Sequence, residues 1–258
     1  MNLAGAKIED YEARLFTRFG SIALLGYQSL RGLFARPFEF QETVRQMEYL
    51  GIRSLSISLL TSLFTGMVMA LQFAVGLERF GTKEYVALIG ALATVRELGP
   101  VLTSVVGGGR VGSGITAELG SMAVTEQIDA IRALGANPVK KLVVPRLLAM
   151  LIVLPMLTFM ADIMGILGGL IVGTLQLGLP AVTYWSNVVH GIGLDDVFSG
   201  ISKTFVFGIG ITLIACEQGM STTGGTEGVG QSTTRTVVAS LIFVFMADFF
   251  LTKVLLIL

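Results

Sequence analysis

The stretch LSISLLTSLFTGMVMALQFAVGL, Leu55 to Leu77, runs for 23 residues without a charged side chain. A helix rising 1.5 Å per residue crosses about 30 Å of hydrocarbon in roughly 20 residues, and there it satisfies its own backbone hydrogen bonds. The run therefore predicts a membrane-spanning helix. Four more apolar regions follow, at about Tyr85–Ala117, Leu147–Leu177, Val197–Cys216 and Thr236–Leu258. Composition agrees: of 258 residues 53% are hydrophobic and only 14% charged, where a soluble domain has about a quarter of its residues charged. The expected fold is an all-α membrane protein, 1–258 forming one domain. An interfacial and cytoplasmic region, 1–53, precedes a bundle of about five transmembrane helices, 54–258. No large water-soluble domain fits beside the spans.

Lys7, Glu9, Asp10, Glu12, Arg14 and Arg18 occupy the place where a secretory signal would have its apolar core, so targeting falls to the spans. Ile8, Tyr11, Leu15, Phe19 and Ile22 recur every three or four residues, with the charges mostly off that stripe. The pattern predicts an amphipathic helix, lying in the headgroup plane or packed on the protein's own cytoplasmic face. Lysine and arginine set the orientation. Residues 1–53 hold seven, 118–146 four and 217–236 one; the opposite side has Arg79 and Lys83 in its first loop and none in Leu179–Asp196. This bias predicts a cytoplasmic N-terminus and, with five spans, a C-terminus on the outer side.

The segment Arg96–Pro138 interrupts the apolar pattern with Arg96, Glu97, Pro100, Arg110 and seven glycines between Gly99 and Gly120. Pro100 lacks an N–H and predicts a kink or break. Gly108 and Gly112 form a GxxxG pair suited to close helix approach. Neither GGGRVGSG nor STTGGTEGVGQSTTR carries the lysine of a phosphate loop, so no ATP-binding motif is present. Beyond the glycines, TEQIDAIRALGANP predicts a short capped helix with Thr125 as N-cap and Gly135 with Asn137–Pro138 as its stop. Val124, Ile128, Ile131 and Leu134 cluster on one side; Glu126, Asp129 and Arg132 lie on the other. The pattern alone fits a helix covering span ends better than a docking helix for a partner.

Arg96, Glu97, Asp162, Lys203 and Asp248 sit within or near apolar runs, where ionisable groups usually face a bundle interior or a cavity. Adjacent side chains on a helix diverge, so Arg96 and Glu97 need partners elsewhere, Lys203 being one for Glu97. Met69, Phe73, Gly76 and Phe80 share one face of the first span. Were that face to line a cavity beside Arg96 and Lys203, its chemistry would suit an anionic amphiphile such as a phospholipid, tails on Met and Phe and phosphate on the cations. A single Cys216 and a single His190, the latter expected in a loop, argue against a disulfide and a His/Cys metal site. No hydrolase or zincin motif supports enzyme chemistry. The charge and composition give no reason to expect nucleic acid. The rival readings are an ion-coupled carrier or channel using Asp162 and Asp248 as proton groups, and a scaffold assembled through GxxxG surfaces.

RELGPVLTSVVGGGRVGSGITAELGSMAVTEQIDAIRALGANPVKKLVVPR, with ADIMGILGG and GGTEGVGQSTTRTVVAS, resembles the MlaE/YrbE permease family of bacterial ABC lipid transporters, from about residue 45 onward. The resemblance implies a homodimeric permease of the bacterial inner membrane that moves phospholipids. It implies a cytoplasmic ATPase subunit that binds the ATP, a periplasmic ring of MCE-domain protein, and a STAS-domain subunit attached to the ATPase. It makes the 125–134 segment the coupling helix, with Glu126, Ile128, Asp129, Ile131, Arg132 and Leu134 as its contact residues. Arg96, Glu97, Lys203, Met69, Gly76, Phe80 and Leu98 fall at family positions in the lipid cavity; Phe73 is added by the helical-face argument alone.

Overall fold

The computed structural model describes residues 20–33, 39–79, 81–82, 85–255 and 257. The described residues contain helices and no strand. Helix α1 covers 20–33; α2 is Phe40–Glu78, α3 Val86–Val124, α4 Gln127–Ala133, α5 Val139–Leu175, α6 Ala181–Gly191, α7 Leu194–Met220 and α8 Gly225–Leu255. Five of these, α2, α3, α5, α7 and α8, are long and apolar enough to cross a membrane. Of the amphipathic stripe Ile8, Tyr11, Leu15, Phe19 and Ile22, all but Ile22 lie outside the described residues; Ile22 falls in α1.

Small residues at intervals of four hold the bundle together. On α2 the buried positions from residue 54 onward are Ser54, Ser58, Ser62, Gly66, Ala70 and Ala74, a stripe one residue wide that lies on α5. The backbones nearly touch there: a Cβ placed on Gly66 would sit 1.9 Å from the carbonyl oxygen of Gly165, and one on Gly168 would sit 2.1 Å from that of Leu63. Ser62 Oγ donates to the Ala161 carbonyl across the same seam. On α8 the stripe is Ser232, Thr236, Ser240 and Val244. Gly108 faces Ser240 and Gly112 faces Thr236 and Ile211, so the GxxxG pair brings α3 against α8 and α7. At their centre the buried Thr116 hydroxyl lies 3.0 Å from the Ala215 carbonyl and 2.8 Å from Thr236 Oγ1. Without aqueous hydrophobic drive between helices in lipid, such close contacts and hydroxyl bonds are what hold them.

Four local features depart from the sequence expectation. Pro100 does not break its span: α3 continues through it because the preceding turn, Thr94–Leu98, widens to a π-helix, as does Gly107–Gly112. The wider turn makes room for the proline ring against the carbonyls of the preceding turn. The segment between α5 and α7 contains α6, so His190 is helical rather than in a loop. Tyr184 anchors α6 against Gly169 and Gly173, and burial pushes its phenol up to about 12. The region 217–236, expected as a loop, is mostly the first turns of α8. Helix α2 begins at Phe40, crossing the expected boundary near residue 53.

Helix α1 packs one face on the bundle, with Leu25 against the main core cluster, Gly26 against Leu213 and Gly32 against Val144. Its other face exposes Leu24, Tyr27 and Leu30.

Candidate functional site

Lys203 on α7 has one of the most enclosed side chains in the molecule, 1% exposed. Its ammonium reaches Glu97 Oε2 at 2.7 Å, Thr252 Oγ1 at 2.6 Å, Asp248 Oδ1 at 3.2 Å and the Arg96 carbonyl at 3.1 Å. Thr252 Oγ1 in turn lies 3.2 Å from Glu97 Oε1. The π turn of α3 is what turns Glu97 toward α7 and α8 while Arg96 diverges from it. Arg96 Nε donates to Asp196 Oδ1 at 2.6 Å, and Asp196 Oδ2 accepts the Gly193 N–H at 2.8 Å, closing the first turn of α7. Gly200, one turn before Lys203, brings α7 onto the π turn: a Cβ there would lie 2.0 Å from the Val95 carbonyl oxygen.

Formally the network holds two cations and three carboxylates. Lys203 is fully engaged by oxygen atoms and sealed from outside, so it organises Glu97 and Asp248 instead of presenting a free charge. Arg96 differs. Its side chain is 45% exposed, and it bonds Asp196 through Nε. Beside the network a cavity of about 380 Å³ opens on α8, lined by Glu97, Phe245, Asp248, Phe249, Thr252 and Lys253. It combines aromatic faces with a carboxylate and hydroxyl floor and one lysine.

Of the residues expected at the cavity, Arg96, Glu97 and Lys203 come together, and Leu98 follows them half-buried. Met69, Phe73 and Gly76 lie on α2, and none of them lines this opening. Phe73 packs with Ala70, Ala74, Val86 and Val172 in a separate cluster. Phe80 lies outside the described residues. Asp248 enters the Lys203 group, whereas Asp162 sits buried on α5, against Gly99, with Oδ1 unpartnered among the described residues. Asp196 and Thr252 were missed. Thr252 had a signal: it continues the four-residue ladder 240, 244, 248 on α8.

A second functional element joins α3 to α5. Thr125 is not the N-cap of α4; it ends α3, its hydroxyl 2.8 Å from the Ser121 carbonyl. Glu126 precedes α4 in the left-handed region at φ 58°, a conformation rare for a residue with a side chain. Gly135, at φ +76°, stops the helix as expected, but Asn137 and Pro138 start the next one: Asn137 Oδ1 accepts the Val139 N–H at 2.9 Å. Ile128 is buried in the main core cluster, with Ile131 packed against that cluster. Leu134 is 86% exposed, and the exposed Asp129 and Arg132 pair at 2.8 Å. Two faces are thus distinguished: Ile128 and Ile131 hold α4 to the bundle, and Glu126, Asp129, Arg132 and Leu134 look outward. Behind the loop the buried Arg146 bonds Glu118 at 2.9 Å, tying α5 to α3.

Five membrane-length helices, an ionic network enclosed among three of them and a short solvent-facing helix between two define a polytopic helical membrane protein with a permease-like bundle. The comparisons make this specific. A family model described as Permease MlaE matches residues 43–254. A probable ABC transporter permease protein of Rickettsia felis is 37% identical over 234 residues, 91% of this chain and 90% of its own. The intermembrane phospholipid transport system permease protein MlaE of Haemophilus influenzae is 35% identical over 241 residues, 92% of each chain. The chloroplastic protein TRIGALACTOSYLDIACYLGLYCEROL 1 of Arabidopsis thaliana is 38% identical over 233 residues, 90% of this chain and 67% of its own. The chain belongs to the MlaE permease family and is a multi-pass ABC transporter permease.

Proposed function

We propose that this permease moves phospholipids between the bacterial inner membrane and a periplasmic carrier, and so helps maintain outer-membrane lipid asymmetry. The observation that carries the reading is the half-exposed Arg96, paired with Asp196, on the same turn as Glu97, which joins the Lys203 network and lines an opening with Phe245 and Phe249. Guanidinium N–H groups recognise a lipid phosphate, and the apolar faces suit acyl chains. The name of the Haemophilus relative points the same way. In this reading two copies enclose the cavity, and the α2 positions Met69, Phe73 and Gly76 line it together with the network. ATP is bound by a cytoplasmic ABC ATPase that docks on the outward face of α4; a STAS-domain subunit attaches to that ATPase, and an MCE-domain protein receives or delivers lipid on the periplasmic side. The N-terminus is cytoplasmic and the C-terminus periplasmic.

The test is Arg96→Glu in the reconstituted transporter, with lipid transfer and co-purified lipid measured by mass spectrometry. The variant should assemble normally yet transfer at least about tenfold less lipid, as expected when an ionic contact worth about 1.5–3 kcal/mol becomes a repulsion. Wild-type transfer by Arg96→Glu would overturn the cavity assignment. Transfer that ignores ATP and follows membrane potential would replace it with the ion-coupled carrier.

A further inference from the structure

A second, larger cavity lies at the opposite end of α7 from the ionic network. It has a volume of about 670 Å³ and sits between α1, the α4–α5 turn and the last residue of α7, Met220. Met220 is seventeen residues beyond Lys203 on the same helix, roughly 25 Å away at 1.5 Å per residue. The two sites therefore face opposite sides of the bilayer.

Every polar side chain on the wall of this cavity can donate. Arg31 and Gln28 come from α1, Arg132 from α4, Asn137 from the turn and Lys140 from the start of α5; among the described residues no carboxylate lines it. Arg31 stacks over Tyr27 at 4.6 Å, which fixes the guanidinium plane through its face and leaves the N–H edge for a ligand. Arg132 gives Nη1 to Asp129 and retains its other donors. The Asn137 oxygen is used by the Val139 N–H, so its amide N–H2 is the group left for an incoming acceptor. Below the rim, Leu25 and Met220 make an apolar floor. The exposed Leu24, Tyr27 and Leu30 continue along α1 as an apolar strip.

A cationic rim over an apolar floor, next to an interfacial helix, is complementary to one kind of occupant. We propose that this cavity binds the headgroup of an anionic phospholipid from the leaflet on the α4 side: phosphate oxygens on Arg31 and Lys140, with Arg132 at the edge the cavity shares with α4, glycerol and upper acyl carbons over Leu25 and the α1 strip. The assignment of that leaflet as cytoplasmic rests on the topology proposed above; the chemistry of the site does not. Because its donors come from α1, α4 and α5 together, a lipid seated there braces the solvent-facing helix against the bundle.

Native mass spectrometry of the full chain, titrated with phosphatidylglycerol, phosphatidylcholine or inorganic phosphate, tests the site. Wild-type protein should retain one phosphatidylglycerol per chain well beyond phosphatidylcholine. The Arg31→Gln/Lys140→Gln variant should lose that preference by at least about tenfold, the loss expected for two cations near an anionic headgroup. Gln28→Glu, which adds a carboxylate to the wall and leaves both cations, should weaken it in the same direction. Arg96→Glu, the variant that tests the transport cavity, should leave this adduct unchanged, which separates the result from any failure of the transport-cavity reading. Equal retention of the two lipids by wild type, or undiminished retention by both variants, overturns the proposal. Inorganic phosphate competing as well as phosphatidylglycerol would also overturn it, making the cavity a free-anion pocket.

Discussion

At the scale of single residues, the charges in this membrane domain are resolved by pairing. Lys203→Met keeps the stem and removes the ammonium, leaving Glu97 and Asp248 facing each other. Removing one partner of a buried pair costs about 3–5 kcal/mol, and because Glu97 is 40% and Asp248 21% exposed, the lower end of that range is expected. Thermal unfolding should show Lys203→Met melting several degrees below wild type, with most of the loss recovered when Glu97→Gln and Asp248→Asn are added. An unchanged midpoint in the single variant would mean the network does not hold the helices. The Glu97–Lys203 contact was legible in the sequence, because Arg96 and Glu97 diverge on a helix and each needs a partner. Asp196, Asp248 and Thr252 were not assigned to it: they meet Arg96 and Lys203 across 100, 45 and 49 residues, and only the packed bundle fixes those meetings. The same packing encloses the Lys203 ammonium among Glu97, Asp248 and Thr252.

At the scale of helices, hydropathy located all five spans but not the seams between them. The seams are written in a weaker pattern, one small or hydroxyl residue every fourth position on α2 and α8, which mean hydropathy averages away. Gly66 is the sharpest case, since a Cβ there would meet a carbonyl oxygen of α5 at 1.9 Å. Gly66→Ala must push α2 away from α5, breaking the close approach and the Ser62–Ala161 bond one turn earlier. Gly230 on α8 has nothing within 4 Å of the place a methyl group would take, so Gly230→Ala should be neutral or gain up to about 1 kcal/mol of helix propensity. Size-exclusion profiles and melting curves of the purified variants should separate the two: Gly66→Ala lowers the yield of monodisperse protein and its midpoint, and Gly230→Ala does neither. The π turn at Thr94–Leu98 shows what the expectation of a kink or break at Pro100 left open. A proline predicts that a regular α-helix is interrupted, but it does not say whether the chain breaks or widens by one residue.

At the scale of the whole molecule, the geometry connects α4 to the ionic network. From Val124, where α3 ends beside α4, to Glu97 is about 40 Å of helix. Ile128 seats α4 in the main core cluster, and the Arg146–Glu118 pair ties α3 to α5 just behind it; in the proposed reading, a push on α4 would pass to both helices. The sequence placed Ile128 and Leu134 on one face as equivalent contacts; burial separates them. Leu134→Asp alters an 86% exposed side chain and should leave folding intact while reducing recovery of the ATPase in a pull-down by about tenfold, the scale of one apolar interface anchor. Ile128→Asp buries an unpaired carboxylate and should instead destabilise the permease itself, visible as a lowered melting midpoint before any partner is added. If Leu134→Asp held the ATPase as wild type does, the outward face of α4 would not be the docking face, and force would have to enter the bundle by another route.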